Sequence, residues 1–319
     1  MSPRILLITS LLTLLISAGT LSAQEPPPDE LKLQTWPQLY ITDPDGANMT
    51  KLFPERTGRA EESVDFSEDG RLMVFSGYNA EAGERNTSSK IYWYNLETEE
   101  ERELTAGAMP SLSPRGKRIF FSRYDSRGVW VANLDQIEET KYLLDDRGWG
   151  CAWSPDGKKL AWASYAHGYN IKILDIVEGE EWAVFEDDPT PFRIIYYHFA
   201  WSPDSRNLVF LAEDRARTKG LFAVEVLDER QPVKLLEDRE IHHTIAWHPD
   251  GSKILFASRD EETKLYRLMT MEPLHREKEP VLLDRIPAGI SAFAPRYTPD
   301  GKKIIFSAYA PKEPEKPKP

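Results

Sequence analysis

Six times along the chain, a bulky apolar residue is followed by a short turn and then by an apolar run that ends in an aromatic residue. The six segments read FSEDGRLMVF, LSPRGKRIFF, WSPDGKKLAW, WSPDSRNLVF, WHPDGSKILF and YTPDGKKIIF. Their turn residues, at positions 70, 116, 157, 205, 251 and 301, are 46, 41, 48, 46 and 50 residues apart. Such a period is typical of propellers and solenoids, and it has room for four short strands.

Each segment has the residues of a tight β-hairpin. Proline presets φ near −65° at the second turn position, Asp accepts local backbone hydrogen bonds, and Gly tolerates the positive φ that ends a three-residue loop. A large side chain stands four residues before each turn residue and another five after it; these are Phe66, Leu112, Trp153, Trp201, Trp247 and Tyr297, then Phe75, Phe121, Trp162, Phe210, Phe256 and Phe306. The nearly continuous apolar runs predict strands buried on both faces, between neighbouring blades.

Five repeats continue with a third apolar strand, from Lys90, Gly128, Asn170, Gly220 and Lys264, and then with a shorter fourth strand. The sixth hairpin lacks both. At the other end of the chain, 38–43 reads as a third strand and 49–53 as a fourth. The sequence therefore predicts an all-β, six-bladed β-propeller of four-stranded blades. Its last blade joins the two N-terminal strands to the C-terminal hairpin, which leaves no open edge.

The SPDGKK hairpin, the stretch LYITDPDGANMTKLF and the exchange of terminal strands resemble the WD-like propeller repeats of the TolB type. This resemblance covers roughly Leu33 to Ala310, and it implies the propeller fold. TolB proteins carry an additional α/β domain before the propeller, and the sequence leaves no room for one ahead of Leu33. We therefore expect the propeller alone.

The first residues have the pattern of a secretory signal peptide, with one early Arg, an apolar stretch from Ile5 to Ile16 and a small-residue end near Ala23. We expect a signal peptide at 1–23, a flexible lead-in at 24–32, the propeller at 33–310 and a Pro- and Lys-rich tail at 311–319. The protein is then periplasmic or secreted, monomeric, and without stable membrane insertion after cleavage. The apolar run is short for a membrane span, although an uncleaved anchor stays open.

Charge and cysteine content narrow the choice of partners. Removing the leader takes away Arg4 and no acidic residue, which changes the net charge from −12 to −13. Such a protein is repelled by phosphate backbones, and no basic stripe is present, so nucleic acid is excluded as a partner. The single cysteine, Cys151, can form no internal disulfide. We expect it to be a buried thiol in the innermost strand of the third blade.

Little in the sequence indicates catalysis. A propeller hydrolase would add an α/β domain with a G-x-S-x-G nucleophile elbow, and the chain has neither. A metal-assisted lyase would need converging His and acidic residues. His198, His242 and His243 are predicted near one mouth of the channel, with His167 in a nearby loop. Because adjacent strand residues point to opposite faces, we expect at most one of His242 and His243 to serve a common site. We predict no catalytic residue, no metal and no cofactor, and interpret the histidines as polar channel lining.

The DPDGAN segment resembles the start of a calcium loop through Asp43, Asp45 and Asn48. The position at which such a loop needs a bidentate Glu is occupied by Pro54. We therefore expect these residues to form a hairpin turn between the two N-terminal strands.

The face on which the inner strands begin is the most promising surface. Loops entering the inner strands and loops between second and third strands crowd there, and they carry the Arg and aromatic residues favoured at hot spots. The predicted binding residues are Arg123, Trp149, Tyr197, His198, Arg215, Arg217, His243, Arg259 and Phe293; other arginines of these loops are Arg127, Arg147, Arg193 and Arg239. In the alternative interpretation, the arginines form solvated ion pairs worth ~0–1 kcal/mol each with Asp125, Asp146, Asp214, Asp238 and Asp260.

Together these features predict an exported, non-catalytic propeller that binds an envelope protein or a peptide at the channel mouth. Two alternatives stay open. One is a propeller enzyme, either a metal-assisted polysaccharide lyase or a hydrolase, and a converging cluster of His and acidic residues would favour it. The other is a carbohydrate-binding module, which aromatic platforms would favour. An Arg-rimmed apolar mouth favours protein binding.

Overall fold

Short antiparallel strands make up nearly all of the regular structure. The computed structural model describes residues 33–166, 168–186, 190–228, 230–237, 240–273 and 278–311. The predicted signal peptide, the lead-in and nearly all of the tail lie outside the described residues, as do His167, Asp238 and Arg239. The predicted segment boundaries therefore stay a prediction.

The first twelve strands in chain order are β1 (Gln38–Thr42), β2 (Thr50–Lys51), β3 (Arg59–Phe66), β4 (Leu72–Asn79), β5 (Lys90–Asn95), β6 (Glu101–Ala106), β7 (Ala108–Leu112), β8 (Arg118–Arg123), β9 (Gly128–Asn133), β10 (Tyr142–Asp145), β11 (Gly148–Trp153) and β12 (Lys159–Ser164). The remaining twelve are β13 (Asn170–Asp175), β14 (Glu180–Ala183), β15 (Phe192–Trp201), β16 (Asn207–Asp214), β17 (Lys219–Glu225), β18 (Val233–Glu237), β19 (Ile241–Trp247), β20 (Ile254–Arg259), β21 (Tyr266–Met271), β22 (Val281–Leu282), β23 (Ser291–Tyr297) and β24 (Ile304–Tyr309). Two short helical segments, Asn86–Ser88 and Ile137–Thr140, interrupt them. Within the described ranges no helix has the length and apolar character needed to cross a membrane.

The strands form six four-stranded antiparallel sheets. One edge strand of each sheet contacts an edge strand of the next sheet. These edge strands follow one another in a circle, from β3 through β7, β11, β15, β19 and β23 and back to β3. These six inner strands therefore surround a central channel, and the blades are numbered 1 to 6 in that order. The predicted six-bladed, all-β propeller is confirmed.

The last blade combines both ends of the described chain. Its strand order is β2-β1-β24-β23, and β1 pairs with β24 along its whole length, from Gln38 opposite Ala308 to Thr42 opposite Ile304. An isolated bridge between Leu33 and Pro311 extends the pairing. The N-terminal strands thus cover the edge that the C-terminal hairpin would otherwise expose, as the sequence predicts.

Ser and Thr side chains help to close the hairpin turns, in addition to the Pro, Asp and Gly residues that the sequence pattern indicates. Gly70, Gly116, Gly157, Gly251 and Gly301 have φ between 65° and 77°, and Ser205 has φ 59° at the equivalent place. In most turns, the Ser or Thr before the second turn position also closes the loop. Ser154 Oγ donates to Asp156 Oδ1 at 2.6 Å and accepts the Lys159 N–H at 2.8 Å. These side chains satisfy backbone groups that the tight turn would leave unpaired.

Aromatic side chains fill the space between blades. The six that follow the turns, at positions 75, 121, 162, 210, 256 and 306, are at most 1% exposed. Five of the six that precede the turns are buried as well, whereas Trp247 is half-buried. Trp201 and Trp247 donate their indole N–H groups to the inner strand of the preceding blade, at Ala152 O (3.2 Å) and Ala200 O (3.1 Å). The predicted interblade core is therefore confirmed.

Removing β1 and β2 should open the propeller. A variant that begins after Phe53 lacks two strands of blade 6 and exposes the edge of β24 and the core around Phe306, so we expect aggregation. A matched variant that begins at Leu33 keeps both strands and should remain monomeric. Size-exclusion chromatography and thermal melting compare the two variants; equal elution and equal melting temperatures would show that the terminal strands do not close the ring.

Candidate functional site

Every inner strand is interrupted by a bulge near its middle. In blade 1, the register with the second strand shifts between Glu62 and Asp65, and the other five blades shift at equivalent places. In blades 4 and 5 the bulge is larger, because three inner-strand residues stand between the pairs that flank it; these are 196–198 and 242–244. Bulges bend a strand and redirect its side chains, so these positions decide what faces the channel.

Four of the bulges contain a residue in the left-handed region: Ser63, Met109, Gly150 and Ala294 have φ of 56°, 52°, 72° and 49°. Such a backbone costs a non-Gly residue of order 1–3 kcal/mol and persists only where the surroundings impose it. At Gly150 the surroundings also leave no room, since an added Cβ would lie 1.7 Å from the carbonyl oxygen of Tyr197. The Gly150 N–H donates to the buried Ser122 Oγ at 2.9 Å, which fixes the bulge. Blades 3 and 4 therefore approach each other at their bulges.

Rings from five blades form a continuous arc at the start of the inner strands. We call this arc the aromatic collar, and its members in order are Tyr124, Trp149, Tyr197, His243, His242, Phe293 and Tyr309. Centroids of successive rings are 4.0 to 6.4 Å apart. The collar thus includes Trp149, Tyr197, His243 and Phe293 of the predicted binding residues. His198 joins it from the side, with its ring 4.6 Å from that of His243.

The expectation that His242 and His243 point to opposite faces is wrong. Their rings stack at 4.0 Å with an interplanar angle of 30°. The bulge between Ile241 and Ile245 breaks the alternation of side chains, so both imidazoles turn to the same side of the strand. No proline or glycine marks this bulge in the sequence, so the sequence predicts the side-chain alternation of a regular strand. His198 lies within β15, and His242 and His243 lie within β19.

The stacked imidazoles are neutral at pH 7. Burial, followed by the positive charge of Lys219, lowers the pKa of His243 to about 4. Burial likewise lowers the pKa of His198 and His242, with the neighbouring His243 as the second cause for each. Within the part of the chain that the structure describes, no group of three or more His, Cys, Asp or Glu residues is placed to hold a metal ion.

Glu62 of blade 1 flanks the bulge of β3, at the position that Trp149 has in blade 3 and Phe293 in blade 6. Burial raises the pKa of Glu62 itself. Burial also raises the pKa of the tyrosines nearby, and the negative charge of Glu62 contributes to each increase; these tyrosines are Tyr78, Tyr124, Tyr197 and Tyr309. The four come from blades 1, 2, 4 and 6, and blade 4 lies opposite blade 1. Sequence reasoning missed it because no motif distinguishes Glu62 from the chain's many other acidic residues.

Beyond the bulges, the channel widens into a cavity of about 510 Å³ that reaches the prolines of the hairpin turns. Asp65 lies in its wall, where it accepts hydrogen bonds from Ser111 Oγ (3.0 Å) and Leu112 N–H (2.9 Å) and pairs with Arg296 at 2.5 Å. This network links blades 6, 1 and 2. Two buried polar atoms of the lining residues, Trp153 Nε1 and Thr244 Oγ1, have no hydrogen-bond partner among the described residues.

Of the predicted arginines, Arg123 and Arg259 end second strands, whereas Arg215 and Arg217 lie in the turn between β16 and β17. We call these four residues the arginine rim. Arg123 pairs with Asp125 at 2.7 Å and lies over the ring of Trp130, on the outer part of its blade. Arg215 Nε donates to Thr190 O and Arg259 Nε to Lys264 O, each at 2.9 Å. Among the contacts of the described residues, none joins the arginine rim to the aromatic collar.

Arg123 forms an ion pair with a neighbouring Asp, as the alternative interpretation of the loop arginines predicts. Elsewhere the described contacts differ, since Arg193 pairs with Glu213 at 2.6 Å and Arg147 donates to the carbonyl oxygen of Ala166 at 3.2 Å. Arg215, Arg217 and Arg259 are exposed. The rim thus combines ion pairs with guanidinium groups that solvent reaches.

Two other candidates have structural roles. Cys151 lies in the innermost strand of blade 3, as expected, but is half-buried rather than buried. Burial raises the pKa of its thiol, which favours the neutral form, and its Sγ lies 3.6 Å from Ser122 Oγ. In the DPDGAN turn, Asn48 Nδ2 donates to Asp43 Oδ2 at 2.6 Å, and Lys303 Nζ contacts Asp43 Oδ1 at 2.6 Å. Intramolecular partners thus occupy the acidic side chain, and the segment is the predicted hairpin turn.

These features define a closed six-bladed propeller with a collared central channel. No protein-family model and no curated protein matches the sequence. Among solved structures, it is similar to a TolB protein from Agrobacterium tumefaciens, with a TM-score of 0.63 and 17% identity over 88% of this chain and 100% of that chain. TolB from Acinetobacter baumannii gives a TM-score of 0.56 and 14% identity, over 86% of this chain and 66% of that one.

The same fold also occurs in an enzyme. Oligogalacturonate lyase from Vibrio parahaemolyticus gives a TM-score of 0.50 and 14% identity over 89% of this chain and 99% of that chain. Identities of this size show the fold alone. The resemblance to TolB propellers is therefore confirmed at the level of the fold, and the function must be argued from the site.

A methyl group at Gly150 should disrupt the contact between blades 3 and 4. Gly150→Ala places a Cβ against the Tyr197 carbonyl oxygen, which is backbone and cannot move aside. Gly179→Ala is the matched control, because Gly179 has φ 75° and open space around it. Both substitutions place alanine where glycine has a positive φ. Gly150→Ala should lower the free energy of unfolding by at least about 2 kcal/mol more than Gly179→Ala does. Equal free energies of unfolding in urea would contradict the close approach of the two strands.

The histidine cluster should make the fold sensitive to acid. Between pH 6.5 and about 4, the unfolded chain binds protons that the native His243 does not, so the free energy of unfolding falls as pH falls through this window. His243→Gln should remove about 2 kcal/mol of this loss between pH 7 and pH 4.5. Tyr142→Ala, an exposed change on β10, should keep the full loss. Urea unfolding at the two pH values measures the effect, and identical losses in all three proteins would contradict it.

Proposed function

We propose that this protein is an exported, non-catalytic propeller that binds an envelope protein or a peptide segment at the channel mouth. The observation that carries the proposal is the aromatic collar. Trp149, Tyr197 and His243 lie at the bulges of neighbouring inner strands, are only partly buried, and have their rings in contact from blade 3 to blade 5. Large rings fixed in place give contact area at little cost in side-chain entropy, which is the property of binding hot spots.

The rest of the mouth supports the same function. Three arginines of the rim, Arg215, Arg217 and Arg259, add exposed guanidinium groups, the side chains that often join aromatic residues at hot spots. The neutral histidines add polar contacts without a charge that would have to be desolvated. Export follows from the leader pattern at the N-terminus, and solved TolB proteins share the fold.

The enzyme alternative depends on the stacked histidines. A lyase that uses a metal needs carboxylate or imidazole ligands that converge on one point, and His198 and His243, with ring centroids 4.6 Å apart, are candidate ligands from two different blades. Calorimetric titration with Zn²⁺ and Mn²⁺ tests it: binding that His198→Ala abolishes, together with turnover of polygalacturonate, would favour the enzyme over the binding platform.

Trp149 and Tyr142 provide a matched test of the binding platform. Both are aromatic and accessible, but Trp149 belongs to the collar and Tyr142 lies on an outer strand, where it is 66% exposed. We expect Trp149→Ala to weaken capture of envelope proteins or peptides by roughly 30-fold, as for a hot-spot residue, whereas Tyr142→Ala leaves it unchanged. Pull-down from envelope extract with quantitative mass spectrometry measures the change. Equal capture by both variants would exclude the collar.

The arginine rim is tested separately with the double variant Arg215→Glu, Arg259→Glu. Reversing two charges should abolish capture of a partner that presents carboxylates to the rim. Because Arg215 and Arg259 are exposed, the folded protein should be stable to within about 0.5 kcal/mol. Capture that survives this double reversal would remove the two arginines from the binding surface and leave the collar as its only described part.

A further inference from the structure

The described chain ends beside the aromatic collar. Tyr309, the last residue of β24, belongs to the collar and stacks on Phe293 with ring centroids 5.6 Å apart. Two residues further on, Pro311 is held by its bridge to Leu33 and is exposed. The tail at 311–319 therefore begins next to a collar ring.

The tail carries a proline at every third position. It reads PKEPEKPKP, so that Pro311, Pro314 and Pro317 are three positions apart. Proline fixes φ near −65°, and the residue before a proline is restricted to extended and polyproline II conformations. A polyproline II helix has three residues in each turn and rises about 3.1 Å per residue. The sequence of the tail therefore favours such a helix, with three prolines on one edge and about 9 Å between them.

The aromatic collar has the properties of a surface that recognises such a helix. Proline-rich segments bind surfaces lined by aromatic residues, because the preformed helix loses little entropy when it binds. Trp149, Tyr197, His243 and Tyr309 are half-buried, so part of each side chain stays accessible. Centroids of successive collar rings are 4.0 to 6.4 Å apart, so one turn of the helix corresponds to about two rings.

We infer that the aromatic collar binds the tail of the same chain as a polyproline II helix, with the edge of prolines against the rings. The eight residues after Pro311 span about 25 Å in this conformation, which is enough to pass about four rings. Because the tail is attached two residues from Tyr309, its effective concentration at the collar is on the order of millimolar, and a weak contact is sufficient.

This inference goes beyond the proposed function and uses the same surface, because the tail occupies the collar that a partner would need. The charged residues of the tail stand between the prolines, and a repeat of three places them on the two other edges of the helix. The collar itself consists of Tyr, Trp, Phe and His rings. The contact should therefore depend on the spacing of the prolines and change little with salt.

A labelled peptide of sequence PKEPEKPKP, added to the full-length protein, tests the inference by fluorescence anisotropy. In the wild type, the attached tail competes with the peptide. The double variant Pro314→Ala, Pro317→Ala loses the edge of prolines in its own tail, so it should bind the peptide at least about tenfold more tightly. The matched variant Lys312→Ala, Lys316→Ala keeps that edge and should bind the peptide as weakly as the wild type does.

The position of the peptide is tested in the double proline variant. There, Trp149→Ala should weaken binding of the peptide at least about tenfold, whereas Tyr142→Ala, an exposed change on β10, should leave it unchanged. Tyr197→Ala is a second collar variant, and thermal melting shows which of these proteins are folded. Absence of peptide binding to the double proline variant, or binding that both collar substitutions leave unchanged, would overturn the inference.

Altered peptides and salt separate the prolines from the charges. A peptide with Pro314→Ala and Pro317→Ala should bind the double proline variant at least about tenfold more weakly than the original peptide, whereas one with Lys312→Ala and Lys316→Ala should bind equally well. Equal binding of the proline-altered peptide, or loss of all binding at high salt, would show that the prolines do not carry the contact and would overturn the inference.

Oligomeric state and partner capture distinguish the other occupants of the collar. If the wild type elutes as a dimer and the double proline variant as a monomer, a second copy supplies the tail and the intramolecular assignment is wrong. Capture from envelope extract should increase in the double proline variant, because its collar is free. Capture that depends on Trp149 but not on the tail prolines would refute this inference and leave the proposed function intact. Peptide binding at the collar without capture that depends on Trp149 would do the reverse.

Discussion

Closure of the ring is the constraint on which the rest of the structure depends. A blade has two large apolar faces and can bury them only between two neighbours, so six blades are stable only as a complete circle. The pairing of β1 with β24 completes that circle at its single chain break, with Tyr40 opposite Phe306 and their rings 6.1 Å apart. The inner strands, their bulges and the channel mouth then have fixed positions relative to one another, although they come from distant parts of the sequence.

Within the closed ring, regular and irregular backbone have different roles. The second strands are buried in the interblade core and carry the aromatic residues that hold the blades together. The inner strands leave regular geometry at their bulges, where Ser63, Met109 and Ala294 adopt left-handed backbone. Strain of this kind is tolerated because the neighbouring blades impose it. In blade 5, the bulge allows the rings of His242 and His243, which strict alternation would separate, to meet at the channel mouth.

Charge at the mouth is arranged by sign. Burial lowers the pKa of His198, His242 and His243 and favours their neutral form, whereas Arg215, Arg217 and Arg259 are exposed. On the cavity side of the bulges, the Asp65 carboxylate is engaged by Ser111, Leu112 and Arg296, which joins blades 1, 2 and 6.

The sequence by itself determined the propeller, because local chemistry controls its parts. Proline, Asp and Gly specify each turn, the apolar runs specify buried strands, and the period of the repeat specifies four strands in each blade. It also predicted Trp149, Tyr197, His243 and Phe293 as residues of one mouth, and all four lie in inner strands. Tertiary structure alone decided that their rings form one collar and that no described contact joins the arginines to it. Those relations depend on bulges and on contacts between blades, and neither has a signature in the chain because residues far apart impose them.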